Sequence, residues 1–377
     1  KLMSKREFKA IRFEGTDDKA FGIDVRKRVD EYFKSNNISR HGDYRSWIKV
    51  VLLPLLYLTP FVLLLLNVFG ESTLLYFGLW ILMGVGLAGI GLGIMHDACH
   101  GALSKNLKVN DIVGSVLNII GGYMLNWKIQ HNVLHHTFTN VEGFDEDIDA
   151  PVKLLRFSPH TAWRPVHKYQ YLYAWFFYPL MTIMWFATKD YKQAVRYSKK
   201  GLVSSQGKSL LSHWTSIILG KIIYAAIFLA LPLIFAPVFW PYVLLGFVIK
   251  QFVSGTILAL IFQPAHVIPD TSFENPGDSG DIQSDAKVHQ LLTTANYGVK
   301  SRWFTWLVGG LNYQVEHHLF PTICHVHYRG ISEIVRNTAK EYNLPYYTNK
   351  SFFSALKAHG KMLRMLGQKD CPEFVHI

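Results

Sequence analysis

Three short groups of histidines and one single histidine dominate the chemistry that this sequence can perform. The groups are His96-Asp-Ala-Cys-His100, His131-Asn-Val-Leu-His135-His136 and Gln314-Val-Glu-His317-His318, and the single residue is His266. Residues four apart share a face of an α-helix, so the pair in the first group, and His131 with His135, can each direct two imidazoles at one point. A lone histidine is usually a hydrogen-bonded core or surface side chain, but packing gives no reason for adjacent pairs to occur twice. The pattern predicts a metal site.

The number of histidines favours two metal ions over one. Eight imidazoles exceed the four ligands that a zinc ion takes, and the three cysteines form no CxxC pair that would indicate a thiolate site. Two ions share eight imidazoles more naturally. We therefore expect a histidine-rich site for two metal ions.

The composition points to a chain that lies partly in a membrane, because half of its residues are hydrophobic while 18% are charged. Spanning a bilayer takes about 20 consecutive apolar residues. Four stretches meet this requirement: Ile48 to Phe69, Thr73 to Met95, Trp214 to Phe235 and Val238 to Phe262. The sequence thus predicts an all-α integral membrane protein with four transmembrane helices in two hairpins.

The distribution of basic residues predicts the orientation of these hairpins. Their internal links, residues 70–72 and 236–237, contain no Lys or Arg, and of the 39 basic residues only Lys221 and Lys250 lie inside the spans, if Lys49 is taken as the mouth of the first. The positive-inside rule then places both termini, and the segments 96–213 and 263–377, on the cytoplasmic side. These two segments are expected to form a His-rich helical cap in which every histidine group faces one compartment.

Two units follow from this assignment: a cytoplasmic N-terminal segment, residues 1–46, and a membrane domain, residues 47–377. The N-terminal segment lacks the apolar core of a signal peptide, and residues 24–35 have the pattern of an amphipathic helix on the membrane surface. Two further apolar stretches, residues 111–127 and 169–188, are expected to lie in the membrane interface, since the second is rich in Tyr and Trp. A fifth span is the alternative for residues 169–188.

Lys250 falls near the middle of the fourth predicted span, where a charge is costly. It is expected to face the protein interior, as a weak candidate for substrate binding or as part of a polar network. The alternative is that it snorkels to the interface. The net charge of +12 is dispersed along the chain, which favours contact with membrane lipids or a phosphate-bearing substrate over nucleic acid.

The order and spacing of the three histidine groups resemble the histidine boxes of membrane fatty acid desaturases. The chain is most similar to front-end desaturases, in which the third box opens with Gln, as at Gln314. Asn312 before that box, the Leu319-Phe320-Pro321 run after it, and residues 143–151 after the second box extend the resemblance. It covers most of the chain after Tyr44.

The resemblance implies an oxidoreductase that uses two non-haem iron ions and O2 to place a cis double bond in a fatty acyl chain, carried as acyl-CoA or within a lipid. No catalytic residue is implied beyond the metal centre. The implied ligands are His96, His100, His131, His135, His136, His266, His317 and His318. Gln314 stands where many relatives have a ninth histidine, so it is expected to ligate weakly, to act through water or to shape the site.

Metal-bound histidines donate their second N–H to a neighbour that fixes the ring. Adjacency alone suggests four such neighbours: Asp97, Asn132, Asn312 and Glu316. The acidic run from Asp145 to Asp149 could assist in the same way, although a solvated loop is an equal alternative.

Many front-end desaturases carry a fused haem domain with a His-Pro-Gly-Gly motif, which this sequence lacks. The 46 residues before the first span hold one histidine, His41, and are too few to fold around a haem. We therefore expect a separate electron donor, a ferredoxin or a cytochrome b5-like protein. Three alternatives stay open: a fatty acyl or lipid hydroxylase on the same di-iron site, a metal transporter, and a zinc-dependent membrane hydrolase. A transporter would place its ligands near the middle of the bilayer.

Overall fold

The computed structural model describes residues 11–15, 19–149, 153–276 and 280–371, which are mostly helical. The first part of the chain contains a short strand and seven helices. A π-helical turn, Gly91–Met95, joins the third helix to the fourth, and a second one, Ile129–His135, follows the seventh. The elements are β1 (Arg12–Phe13), α1 (Lys19–Ser35), α2 (Tyr44–Leu65), α3 (Thr73–Ile90), α4 (His96–Cys99), α5 (Leu107–Gly114), α6 (Val116–Ile119) and α7 (Met124–Lys128).

The middle of the chain is also helical, with π-helical turns at Trp185–Lys189 and Ala226–Ala230 and 3₁₀ turns at Pro165–Tyr169 and Tyr178–Leu180. Its helices are α8 (Gln170–Phe177), α9 (Met181–Met184), α10 (Asp190–Lys199), α11 (Leu202–Ser205), α12 (Leu210–Ala225), α13 (Leu231–Phe235) and α14 (Trp240–His266).

The last part of the chain combines helices with three short strands and a 3₁₀ turn at His325–His327. The elements are β2 (Asp281–Ile282), α15 (Ala286–Thr293), β3 (Ala295–Tyr297), α16 (Arg302–Leu307), α17 (Gln314–Leu319), α18 (Tyr328–Glu341), β4 (Tyr347–Asn349) and α19 (Phe352–Leu366). β1 pairs in parallel with β2, and β3 with β4. These pairs of two or three residues, with one isolated bridge between Val141 and Glu274, are small departures from the predicted all-α class.

Four helical rods among the described residues are long and apolar enough to cross a membrane. They are Tyr44–Leu65, Thr73–Cys99, Leu210–Phe235 and Trp240–His266. They overlap the four predicted stretches, with shifted ends. The first rod begins and ends four residues earlier than predicted, and the third begins four residues earlier. The second and fourth extend four residues further at their C-terminal ends. Helical hydrogen bonding is local, so it continues beyond the apolar run into residues that the rest of the protein covers. The extensions carry His96 and His266.

The four rods meet around a buried aromatic core. Tyr57, Trp80, Tyr224 and Phe228, together with Phe247, belong to one cluster of buried side chains. Helices α2 and α3 approach closely at Gly86, where an added Cβ would lie 2.7 Å from the backbone nitrogen of Tyr57. Small residues permit such contacts between helices in a membrane.

The two further apolar stretches form short, broken helices. Residues 111–127 fall into α5, α6 and α7, and residues 169–188 into α8, α9 and the turns beside them. Pro179 lacks an N–H group, which accounts for the 3₁₀ turn between α8 and α9. Within the described residues, neither stretch forms a helix that is long and apolar enough to count as a further candidate span.

The amphipathic helix of the N-terminal segment is longer than predicted and packs differently. Its apolar face, formed by Phe21, Val25, Val29 and Phe33, is buried against α17 and α18. The prediction that this face lies on the membrane surface is therefore corrected, because protein side chains cover it. Residues 1–10 and 16–18 of the same segment lie outside the described residues.

Candidate metal centre

Four elements carry the eight histidines. His96 begins α4 and His100 follows it, the second group lies on and after the π-helical turn Ile129–His135, and the third group lies on α17. His266 ends α14. The boxes are thus held at the ends of two membrane-length rods and by two short helices beside them.

The structure brings all eight imidazoles together, in two sets that are linked by His136. Nitrogens of His96, His100, His131 and His317 lie within 4.8 Å of one another, as do those of His135, His266 and His318. His136 joins the sets, because its ligand nitrogen lies within the same distance of those of His317 and His318.

A π-helical turn accounts for the position of His136. In such a turn the backbone hydrogen bond runs from residue i+5 to residue i, and the N–H of His136 accordingly donates to the carbonyl of His131 at 2.9 Å. The Nε2 atoms of these two residues are 3.2 Å apart. The α-helical spacing predicted only that His131 and His135 share a face; the wider turn also aligns His131 with His136.

The imidazole nitrogens have the arrangement expected of metal ligands. Nε2 of His136 lies 2.9 Å from Nε2 of His317, and Nε2 of His96 lies 3.0 Å from Nε2 of His131. Nε2 of His100 and Nε2 of His318 are buried without a hydrogen-bond partner among the described residues. Buried polar atoms are rarely left unpaired. A bound cation would accept the lone pairs of these unpaired and closely spaced nitrogens. The residues present therefore suit a metal ion.

Burial keeps most of these rings neutral, as metal binding requires. It lowers the pKa of His131, His136 and His317 well below the usual value. His135 differs: burial also disfavours its charged form, but the carboxylates of Asp145 and Asp147 outweigh burial and raise its pKa to about 9.

Four of the rings are oriented through their second nitrogen. Nδ1 of His135 lies 3.1 Å from both carboxylate oxygens of Asp145, and Nδ1 of His317 lies 3.1 Å from the hydroxyl of Tyr328. Nδ1 of His318 is 2.7 Å from the amide oxygen of Gln290. Nδ1 of His266 is 3.2 Å from the carbonyl of Thr293. Sequence reasoning weighed the acidic run but missed Tyr328, Gln290 and Thr293, for which no motif gives a signal.

The four residues suggested by adjacency have other hydrogen-bond partners in the described structure. Asp97 accepts hydrogen bonds from His325 and Cys324, and Asn132 donates to the carbonyl of Cys99. Asn312 donates to Tyr297 and Thr305, while Glu316 accepts from Asn296 and Tyr346. Adjacency in sequence therefore did not identify the residues that hold the second nitrogens of the histidines, since these four side chains are engaged by other partners.

Gln314 is buried beside the second set of histidines. Its amide nitrogen donates to the carbonyl of Leu311 at 2.8 Å, and its side chain also interacts with His266. Its position is therefore next to the metal centre, with one end of the amide already engaged by the backbone.

A cavity of about 90 Å³ adjoins the histidines. Four histidines are among its lining residues: His96, His131, His135 and His266. The other lining residues are partly polar, such as Gln130, Asp147 and Lys189, and partly apolar. The apolar lining includes Met95, Trp127, Ile148, Met181, Leu258 and Phe262. Apolar side chains therefore lie beside the metal ligands, where they could contact part of an aliphatic chain.

Lys250 is not among the residues that line this cavity. It is fully buried where the four rods meet, and its Nζ donates to the hydroxyl of Tyr224 at 3.0 Å. The ring centroids of Phe247 and Phe228 lie 4.3 and 5.0 Å from Nζ. It therefore holds a polar contact inside the protein and does not snorkel to the interface.

The model of the family described as fatty acid desaturase matches residues 71–350 of the chain. The chain belongs to the fatty acid desaturase family. It is 31% identical to the acyl-lipid (8-3)-desaturase of Physcomitrium patens, over 95% of this chain and 74% of that one. It is also similar to the sn-1 linoleoyl-lipid 6-desaturase of Arthrospira platensis, with 31% identity over 92% of both chains. The corresponding enzyme of Synechocystis is 30% identical, over 95% of this chain and 99% of that one.

These matches identify the protein as a membrane-bound fatty acyl desaturase of front-end type, and therefore as an oxidoreductase. They confirm the resemblance that the histidine boxes carry, and they favour a desaturase over a metal transporter or a hydrolase. The family implies an acyl substrate, O2 and a source of electrons. The histidine clusters of this chain could bind metal.

Proposed function

We propose that this desaturase holds two iron ions between its histidine boxes. One would bind among His96, His100, His131 and His317, and the other among His135, His266 and His318, with His136 between them. The observation that carries this proposal is the convergence of eight imidazoles. Four of their Nε2 atoms lie close to one another, those of His96, His131, His136 and His317. Two more, those of His100 and His318, are buried without a partner among the described residues. Imidazole ligands suit iron. Bound iron would supply the activation of O2 and the oxidation of two adjacent methylenes.

The side chains around the cavity would bind the acyl chain, and neighbouring side chains orient the histidine rings. Met181, Leu258 and Phe262 line the same cavity as the histidines and would offer the acyl chain an apolar surface there. Burial of the chain there excludes water from the reacting carbons. Asp145, Tyr328 and Gln290 hold the second nitrogens of three histidines, so that the first nitrogens point to the metal positions. Gln314 is proposed to shape the second set through Leu311 and His266.

We propose that the acyl chain is presented within a membrane lipid. The relatives from Physcomitrium patens, Arthrospira platensis and Synechocystis are acyl-lipid or linoleoyl-lipid desaturases, and they match nearly the whole of this chain. An acyl-CoA substrate is the alternative, to be separated by assay.

The proposed topology has two transmembrane hairpins with both termini and the metal centre on the cytoplasmic side. The basic residues support it, since links 70–72 and 236–237 contain none of the 39. Residues 96–213 and 263–377 would then form the cytoplasmic cap, residues 111–127 and 169–188 would lie in the interface, and residues 1–46 would form the N-terminal segment. A separate ferredoxin or cytochrome b5-like donor would reach the centre from this side, where the net charge of +12 favours an acidic partner.

The test combines metal content with lipid analysis. The detergent-purified chain, His317→Ala and the control His160→Ala are assayed for iron and zinc, and the lipids of expressing cells are profiled. His160 is an exposed histidine outside the boxes that contacts the carbonyl of Phe273. We expect about two irons per chain and a new double bond in the wild type and the control, and loss of both in His317→Ala.

Other outcomes separate the alternatives. One zinc per chain with an unchanged lipid profile contradicts the di-iron proposal, and an oxygenated acyl product favours a hydroxylase. Incubation of the purified enzyme with a reductant and either acyl-lipid vesicles or acyl-CoA then tests the carrier. Turnover of acyl-CoA alone contradicts the lipid-linked substrate.

A further inference from the structure

A buried lysine on the third membrane-length rod connects three other parts of the protein. Lys221 lies on α12 and is 5% exposed. Its Nζ donates to the carbonyl of Gly121 at 2.7 Å, to the carbonyl of Trp185 at 2.9 Å and to the carboxylate of Asp190. Gly121 has a φ of 95°, a conformation that glycine adopts readily and other residues rarely. Three acceptors thus converge on one ammonium group.

Asp190 extends this network to the helix that leads into the second histidine box. It is also 5% exposed, and it begins α10. Asn126 on α7 donates from its amide nitrogen to the carbonyl of Asp190 at 2.9 Å and to its carboxylate at 3.2 Å. The π-helical turn that carries His131 and His135 begins three residues after Asn126.

The network connects two of the segments that line the cavity. One is the turn that precedes Asp190, which contributes Trp185 and Lys189. The other is the helix of Asn126 with the π-helical turn after it, which contributes Trp127, His131 and His135. An ammonium group that bonds to the Trp185 carbonyl and, through Asp190, to Asn126 therefore holds these two lining segments in a fixed relation to each other.

The Lys221–Asp190 ion pair is buried, and Lys221 lies within a helix of membrane length. Burying an ion pair is costly, and apolar side chains of similar size often stabilise a protein as well or better. A pair with directed bonds, however, holds its neighbours at fixed distances, which apolar packing does less specifically. Two of the three bonds from Lys221 restrain the backbone itself, at residues 121 and 185.

We infer that Lys221 and Asp190 are a positioning pair that sets which carbons of the acyl chain lie beside the metal centre. The inference rests on the proposed binding of the acyl chain in this cavity. Successive methylenes of a chain are chemically alike, so the position of the lining segments must select the pair that reacts. A lining segment released from Lys221 lets the chain slide, and neighbouring carbons are presented.

The experiment compares the double-bond positions in the products of four forms of the full-length enzyme. Lys221→Met with Asp190→Asn removes the pair without leaving a buried unpaired charge. Asn126→Leu removes only the connection to the second box. The matched control is Lys128→Met. Lys128 lies on α7, as Asn126 does, and its Nζ contacts the carboxylate of the largely exposed Asp111 at 2.8 Å. The control therefore also breaks a Lys–Asp pair.

We expect the double variant and Asn126→Leu to retain metal content and folding while forming positional isomers of the product. Because a misplacement of about 1 Å can cost on the order of 10²-fold in rate, kcat/KM for the original position should fall by at least about tenfold. The fall is expected mainly in kcat, since the apolar cavity that binds the chain is intact. Lys128→Met should give the wild-type product. Variants that fold and bind metal but keep one product position and the wild-type kcat overturn the inference.

A cavity-filling variant separates this inference from the proposed function. Leu258→Trp places a larger side chain in the apolar lining and should block or displace the acyl chain. If Leu258→Trp leaves the product and its rate unchanged, the acyl chain lies elsewhere and both statements fail. If Leu258→Trp alters the product whereas the pair variants do not, only the positioning role fails.

Discussion

Asp145→Asn tests whether the carboxylate beside His135 prepares this ring for metal binding. Both oxygens of Asp145 lie 3.1 Å from Nδ1 of His135. One of them also accepts the N–H of Asn140 at 2.8 Å, and the other that of Asp147 at 2.9 Å. The side chain is fully buried. An asparagine has almost the same shape but offers one acceptor oxygen and one donor nitrogen.

The size of the effect follows from these contacts. Whichever oxygen becomes NH2, the new donor faces one of the two backbone N–H groups, and that group loses its acceptor. A buried N–H without a partner costs about 1–3 kcal/mol of stability. Loss of the carboxylate that orients a metal-bound histidine typically lowers metal affinity by about 10–100-fold, which corresponds to about 1.4–2.8 kcal/mol.

The assay is competition for iron between the purified enzyme and a chelator, with thermal unfolding in detergent measured in parallel. Asp149→Asn is the control, since this aspartate of the same acidic run is largely exposed. We expect weaker iron binding and a lower unfolding temperature for Asp145→Asn, and wild-type values for Asp149→Asn. An Asp145→Asn enzyme that is folded and binds iron within about twofold of the wild type would refute the reasoning.

Three further substitutions test other contacts. Tyr328→Phe removes the hydroxyl 3.1 Å from Nδ1 of His317 and should lower iron affinity by about tenfold without unfolding the enzyme; unchanged affinity would mean that packing alone orients the ring. Gly86→Ala places a Cβ 2.7 Å from the Tyr57 nitrogen and should destabilise the packed helices by about 1–3 kcal/mol, whereas Gly78→Ala on the same helix meets no atom within 4 Å and should not lower the unfolding temperature. Lys221→Met leaves the Asp190 carboxylate buried and unpaired, which should lower the free energy of unfolding by about 3–5 kcal/mol. Lys250 has no carboxylate partner in the described residues, so Lys250→Met should change that free energy by less than about 1 kcal/mol. Equal losses in the two variants would contradict this account.

Several features of the fold could be predicted because they depend on consecutive residues. Membrane-length helices need only a long apolar run, and the four predicted runs agree with the four rods. The helix ends were less predictable, since α4 and the end of α14 are buried by protein segments distant in sequence. The amphipathic pattern of α1 likewise predicted a helix but not what covers it, because a membrane and a protein surface bury an apolar face equally well.

The sequence by itself determined the kind of chemistry: the residue types and spacing of the histidine groups predicted a metal site, and their resemblance to the histidine boxes of a known family indicated a fatty acid desaturase. Only the tertiary structure decided how those histidines are held. The partners of His135, His317 and His318 are Asp145, Tyr328 and Gln290, which lie from 10 to 28 residues away along the chain. The link from Lys221 to Asp190 spans 31 residues. Apolar length and helical spacing are properties of local sequence, whereas a hydrogen bond between distant residues exists only once the chain has packed, so no pattern along the sequence reveals it.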